Sequence, residues 1–168
     1  MSTAESVEHV LTRGFEDTRG FQDMSEEERR SWRSFADSAS LLYREIDNTL
    51  TTKHGLAIRD VQILQQLNND PTRLVRMGAL AETLVVSPSR VTWLVTRLED
   101  RGLVGRVRSR KDRRIVVVGI TRKGEDHLRL ALGTYAELVR QYYLGSLTRD
   151  RMTALGDSAN RLSEALRQ

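Results

Sequence analysis

Between Arg101 and Lys123 the chain carries nine lysines or arginines and a single acid, Asp112. Cations at that density suit a polyanion, and duplex DNA presents a phosphate charge about every 1.7 Å along its axis. Immediately before them lies SPSRVTWLVTRLEDRG, Ser87 to Gly102, with Ser87, Pro88, Ser89, Arg90, Trp93 and Arg97 available on its polar side. Serine and arginine at a helix start can reach base edges, arginine as a two-toothed donor to guanine. The chemistry is recognition rather than bond-making. His9, His54 and His127 are scattered with no ligand spacing, so no metal site is expected. No Gly-x-Ser-x-Gly, HExxH or phosphate loop occurs, so neither an enzyme nor a cofactor is expected.

These residues need a scaffold, and the flanking sequence supplies one. Ser87 is a suitable N-cap and Pro88 tolerates the first helical position, where its missing N–H costs nothing. Val91, Leu94, Val95 and Leu98 form one apolar stripe, and Gly102 provides the left-handed stop. Upstream, MGALAETL packs Met77, Leu80, Ala81 and Leu84 into a short helix, joined through VVS to the next: helix-turn-helix spacing. Downstream, a strand from Leu103 through GRVRSR, a turn at Arg110-Lys111-Asp112 and a strand from Ile115 to Ile120 predict a hairpin wing. Arg106, Arg108, Arg110, Lys111 and Arg113 either solvate that hairpin or contact DNA; the adjacent groove-reading helix favours DNA. For Arg97, Glu99 and Asp100 align poorly on a helix, which leaves phosphate as its expected partner.

The stretch LAETLVVSPSRVTWLVTRLEDRGLVGRVRSRKDRRIVVVGITRKG resembles the core of the MarR family of bacterial winged helix-turn-helix transcription regulators. The likeness rests on LA before the turn, SPSRVT, RLEDRGLV, the DRR of the wing and IT-x-x-G beyond it, in order and at the right spacing. It covers about a quarter of the chain directly. It implies that Asp112 holds the guanidinium of Arg114, which reaches toward the minor groove; the plainer reading is that the two only stabilise the hairpin. It also implies a small aromatic effector, which would place Trp32, Phe35, Tyr43, His54 and His127 at a pocket, although Trp32 and Phe35 equally suit a dimer core. Relatives commonly have arginine at Trp93, aspartate at Thr96, a hydroxyl residue at Ala57 and glycine at Ile115. Trp93 has two readings: it touches DNA, or it folds back over the helix-turn-helix core.

The remainder of the chain is read as helices. Its 168 residues, 39% hydrophobic, can bury one core or a small domain plus a shared dimer core. Residues 1–30 hold eight acids against four bases, so the basic charge belongs to one face. There is no cysteine, which excludes disulfides and thiolate chemistry. No apolar run approaches a membrane span and no signal peptide is evident, so a cytoplasmic location is expected.

Residues 1–24 form an N-terminal arm, and Ser25-Glu-Glu-Glu28 then starts a long helix carrying Trp32, Phe35, Ala39, Leu42, Ile46 and Leu50. A helix from Ile58 to Asn68 and a short strand at Leu74-Val75-Arg76 precede the motif. After the wing, Thr121 caps a helix through Leu144. Thr148 caps a last one with Met152, Leu155, Ala159, Leu162 and Leu166 in steps of three and four. The fold class is therefore mainly α: a winged helix-turn-helix over 57–121 with a small hairpin wing, and a helical dimerisation region over 25–56 and 122–168. The expected function is a homodimeric transcription repressor binding a pseudo-palindromic double-stranded operator and released by a small ligand. The alternative is an architectural protein that coats DNA with little sequence preference.

Overall fold

A computed structural model of the chain describes residues 19–108 and 115–167. Four helices begin where a side-chain oxygen takes up an otherwise unpaired backbone N–H, as their sequences predict. Ser25 and Glu28 form a reciprocal capping box: Glu28 N–H donates to Ser25 Oγ at 3.2 Å, and Ser25 N–H to Glu28 Oε2 at 2.7 Å. Ser87 accepts from Arg90 N–H, Thr121 from Gly124 N–H and Thr148 from Arg151 N–H. The Ser25 backbone donor, with its hydroxyl second, holds the Glu28 carboxyl below the usual carboxylate value. That contribution is present above the ordinary Glu pKa and is lost as the pH falls through the lowered one.

In chain order the elements are α1 (Arg19–Gln22), α2 (Glu26–His54), α3 (Ile58–Asn69), β1 (Leu74–Arg76), α4 (Met77–Leu84), α5 (Pro88–Asp100), β2 (Val104–Arg108), β3 (Val116–Ile120), α6 (Arg122–Leu138), a π-helical segment (Val139–Leu144) and α7 (Arg149–Ala165). The chain divides into two compact units, with the break after Asn48. In the first, Arg29 donates to the Phe21 and Met24 carbonyls and pairs with Glu26, tying α1 to the start of α2. Trp32 and Phe35 lie with ring centroids 6.1 Å apart and are exposed.

The second unit holds the winged core. The sheet is antiparallel in the order β1-β3-β2, with Val75 opposite Val118 and Val104 opposite Ile120. The predicted stripe of α5, Val91, Leu94, Val95 and Leu98, is buried, as are Leu80, Ala81 and Leu84 of α4 and Val118 of β3. Burying each of these leucines contributes about 1.5–3 kcal/mol. Helix α3 packs on α6 and on β3, and α4 on α5. The close join between wing and α6 requires glycine: a Cβ at Gly124 would lie 2.1 Å from the Leu103 carbonyl oxygen.

Two local features depart from the expected pattern. The helix read from Thr121 to Leu144 changes to π-helical winding at Val139. Its wide last turn closes on Gly145, whose N–H reaches back five residues to the Arg140 carbonyl at 2.8 Å, and a Cβ there would meet the Gln141 carbonyl. In the helix-turn-helix connection, Val85 adopts the left-handed conformation, φ 51° and ψ 51°. Val86 N–H then donates to the Ala81 carbonyl at 3.1 Å, which closes α4 in the manner usually left to glycine. A left-handed β-branched residue is strained by about 1–2 kcal/mol. Val85→Gly should therefore stabilise the protein by about 1 kcal/mol after the greater unfolded-state freedom of glycine is subtracted. Thermal unfolding at fixed protein concentration checks this: the midpoint should rise by roughly 2–4 °C, and an unchanged or lower midpoint would show that Val85 carries no strain.

Candidate nucleic-acid interface

The N-terminal half of α5 is the exposed edge of the helix-turn-helix. Ser87, Pro88, Ser89, Arg90 and Trp93 are all exposed there, while the stripe behind them is buried. The Ser87 and Ser89 hydroxyls lie 3.0 Å apart, and the Thr92 hydroxyl donates back to the Pro88 carbonyl at 2.9 Å. Trp93 does not fold over the core. It is 50% exposed and lies between two guanidinium groups, Arg90 with its central carbon 4.6 Å from the ring centroid and Arg97 at 4.8 Å. The helical spacing explains the stack, since residues three before and four after a position share its face.

Arg97, for which its spacing suggested a phosphate contact, has a partner within the chain. Its partner is neither Glu99 nor Asp100. One guanidinium nitrogen, Nη2, donates to both carboxylate oxygens of Asp60 on α3, each at 2.5 Å. Asp60 is 1% exposed and also accepts from the Ala57 N–H at 2.9 Å. Thus Asp60 supplies half of a capping box where Ala57 has no side-chain acceptor, and Arg97 satisfies the rest of a buried charge. Reading along one helix missed this pair because the two residues are 37 positions apart. The only trace in the sequence was an acid at the third position of α3.

The wing strand is fastened to the same helix. Arg106 Nη1 donates to Glu99 Oε2 at 2.6 Å, and Nη2 donates to the Thr96 hydroxyl at 2.8 Å and the Thr92 carbonyl at 3.1 Å. Arg106 N–H donates to the other Glu99 oxygen at 3.1 Å. Thr96 therefore accepts a cation that Glu99 neutralises, and Arg106 is an anchor for the wing rather than part of its offered charge. Other cations of the basic run are similarly occupied. Arg101 caps α2 through the Gly55 and His54 carbonyls, Lys123 donates to the Arg101 carbonyl, and Arg122 pairs with Glu125 and Asp126. Of these, Arg106 and Arg122 meet carboxylates, whereas Arg101 and Lys123 donate to neutral carbonyls and keep their charge. Arg108 is exposed at the end of β2, whereas Arg110, Lys111, Asp112, Arg113 and Arg114 lie outside the described residues.

Of the five residues assigned to an effector pocket, three belong to the first unit and two to the second. Trp32, Phe35 and Tyr43 are exposed on the first unit's part of α2. In the second unit His54 Nε2 lies 2.8 Å from the Thr134 hydroxyl, and His127 Nδ1 lies 3.0 Å from the Lys123 carbonyl within α6.

A family model described as MarR family matches residues 54–115, a range that takes in α3 to β2 and stops before β3. Sco3205 of Streptomyces coelicolor, a MarR family transcriptional regulator solved in complex with DNA, is 30% identical and superposes with a TM-score of 0.79 over 85% of this chain and 93% of its own. The chain belongs to the MarR family. Among relatives in Bacillus subtilis strain 168, the HTH-type transcriptional regulator YfiV is 30% identical over 152 residues, 85% of this chain and 87% of YfiV. The HTH-type transcriptional repressor MdtR of the same organism is 29% identical over 114 residues, 67% of this chain and 71% of MdtR. As a member of the MarR family the protein is a transcriptional regulator and not an enzyme. No helix among the described residues is long and apolar enough to cross a membrane.

Proposed function

We propose that this MarR-family regulator is a homodimeric repressor that reads a pseudo-palindromic operator with the start of α5. The observation that carries the reading is the exposed set Ser87, Pro88, Ser89 and Arg90 on the first turn of α5, in front of a fully buried stripe. A helix N-terminus entering the major groove puts such residues against base edges. Arg108, Arg110, Lys111, Arg113 and Arg114 are assigned to the phosphate backbone and the adjacent minor groove. The DNA complex of Sco3205 supports this mode, and the name of MdtR supports repression. Residues 25–56 and 122–168 are assigned to dimerisation, and 57–121 to DNA. Support for the dimer comes from α7, none of whose residues is buried within one chain although its apolar positions recur in steps of three and four. A two-fold dimer calls for half-sites about one helical turn, roughly 10 bp, apart. Release by a small aromatic ligand rests on the family resemblance and on the exposed rings of Trp32, Phe35 and Tyr43.

The test uses a duplex selected from a randomised pool by the full chain, beside a scrambled duplex of equal length. Arg90→Ala should narrow the affinity gap between them by about 1–3 kcal/mol, with little change in salt dependence. Equal losses on both duplexes would remove Arg90 from base reading. A parent protein that fails to distinguish the duplexes, and protects DNA continuously in footprinting, would instead be an architectural coat.

A further inference from the structure

The Arg90 guanidinium is the last of four side chains that run in contact from the interior to the exposed end of α5. Asp60, buried on α3, holds Arg97 through both carboxylate oxygens at 2.5 Å. Arg97 covers the Trp93 ring at 4.8 Å, and Arg90 covers the same ring at 4.6 Å. Two cations on one indole repel each other, so the stack needs a counter-charge. Asp60 supplies it to Arg97 alone, which leaves Arg90 as the cation still available for a ligand. An exposed arginine ordinarily loses much rotamer freedom on contacting a base, and one already laid on a ring loses less.

We propose that Asp60 is a positioning residue for sequence discrimination, acting through Arg97 and Trp93 to preset the Arg90 side chain. The inference rests on the reading of Arg90 as a base-contacting residue. Asp60 itself touches no DNA in this arrangement; it acts from a different helix, through two intervening side chains. Trp93 is correspondingly a platform rather than a reader, which accounts for a tryptophan where relatives commonly place arginine.

The experiment is a mutant cycle in the full-length protein, read as the ratio of affinities for the selected and scrambled duplexes. Asp60→Asn keeps an acceptor for Ala57 N–H and for Arg97 while removing the charge. It should lower the ratio by about five-fold, the low end of one base contact, and change scrambled-duplex affinity little. In an Arg90→Ala background the same substitution should leave the ratio where it is, because the residue it acts through is gone. A ratio unchanged by Asp60→Asn, or lowered equally in both backgrounds, overturns the proposal. Trp93→Leu, at a position that is half exposed, breaks the relay at its middle and is read in the same cycle whether or not Asp60→Asn folds. It should lower the ratio in the parent but not beside Arg90→Ala; equal loss in both would make Trp93 a DNA contact and overturn the relay. A parent with no discrimination would overturn base reading itself, and the relay with it.

Discussion

Replacing Leu155 and Leu162 together with aspartate should turn the protein into a monomer that no longer binds its operator tightly. Within one chain α7 buries none of its residues, yet Met152, Leu155, Ala159, Leu162 and Leu166 recur in steps of three and four. Leu155 is 39% exposed and Leu162 52%, although neither has a polar role. A two-fold axis would bury four such leucines at once, and each contributes about 1.5–3 kcal/mol when removed from water. Four carboxylates in the same seam would be desolvated without cationic partners, so the loss should be several kcal/mol. Sedimentation of parent and double variant over a range of concentrations decides the matter. A parent that sediments as a monomer, or a double variant that remains a dimer of parental stability, would dispose of the proposed seam.

Arg97→Ala should destabilise the fold before it affects DNA. The substitution leaves the Asp60 carboxylate buried with the Ala57 N–H as its remaining partner among the bonds described above. Breaking a buried ion pair from one side costs about 3–5 kcal/mol, and the part-exposed guanidinium puts this case near 3. For a chain of this size that is roughly a 6–12 °C fall in the unfolding midpoint. Adding Asp60→Asn should recover part of the loss, because the orphaned charge is then removed. The check is thermal unfolding of the two single variants and the double variant at one protein concentration. An unchanged midpoint for Arg97→Ala, together with weaker binding to every duplex, would return Arg97 to the phosphate backbone.

These two residues show where local pattern ends. Helix starts were legible because a cap acts over three residues: Ser25 with Glu28, Ser87 ahead of Pro88, Thr121 ahead of Gly124, and Thr148. The burial of Val91, Leu94, Val95 and Leu98 was legible for a related reason, since one helical period repeats along the chain and the core follows it. The hairpin and its third strand could be read from β-branched runs, and the MarR motif from residues at fixed offsets. The first turn of α5 was likewise visible as polar residues opposite an apolar stripe.

Which cations already have partners within the chain was decided by tertiary structure alone. Arg97 and Asp60 are 37 positions apart, and Arg106 crosses from β2 to Thr92, Thr96 and Glu99 on α5, so neither pairing leaves a periodic trace. Composition counts charges but cannot say which are already neutralised. Val85 adopts a left-handed turn that its own side chain disfavours, because the packing of α4 against α5 outweighs a local preference of about 1–2 kcal/mol. The orientation of Trp93 follows from the same hierarchy. Sequence put an indole on the polar side of α5, but its place between Arg90 and Arg97 depends on a carboxylate buried in another helix.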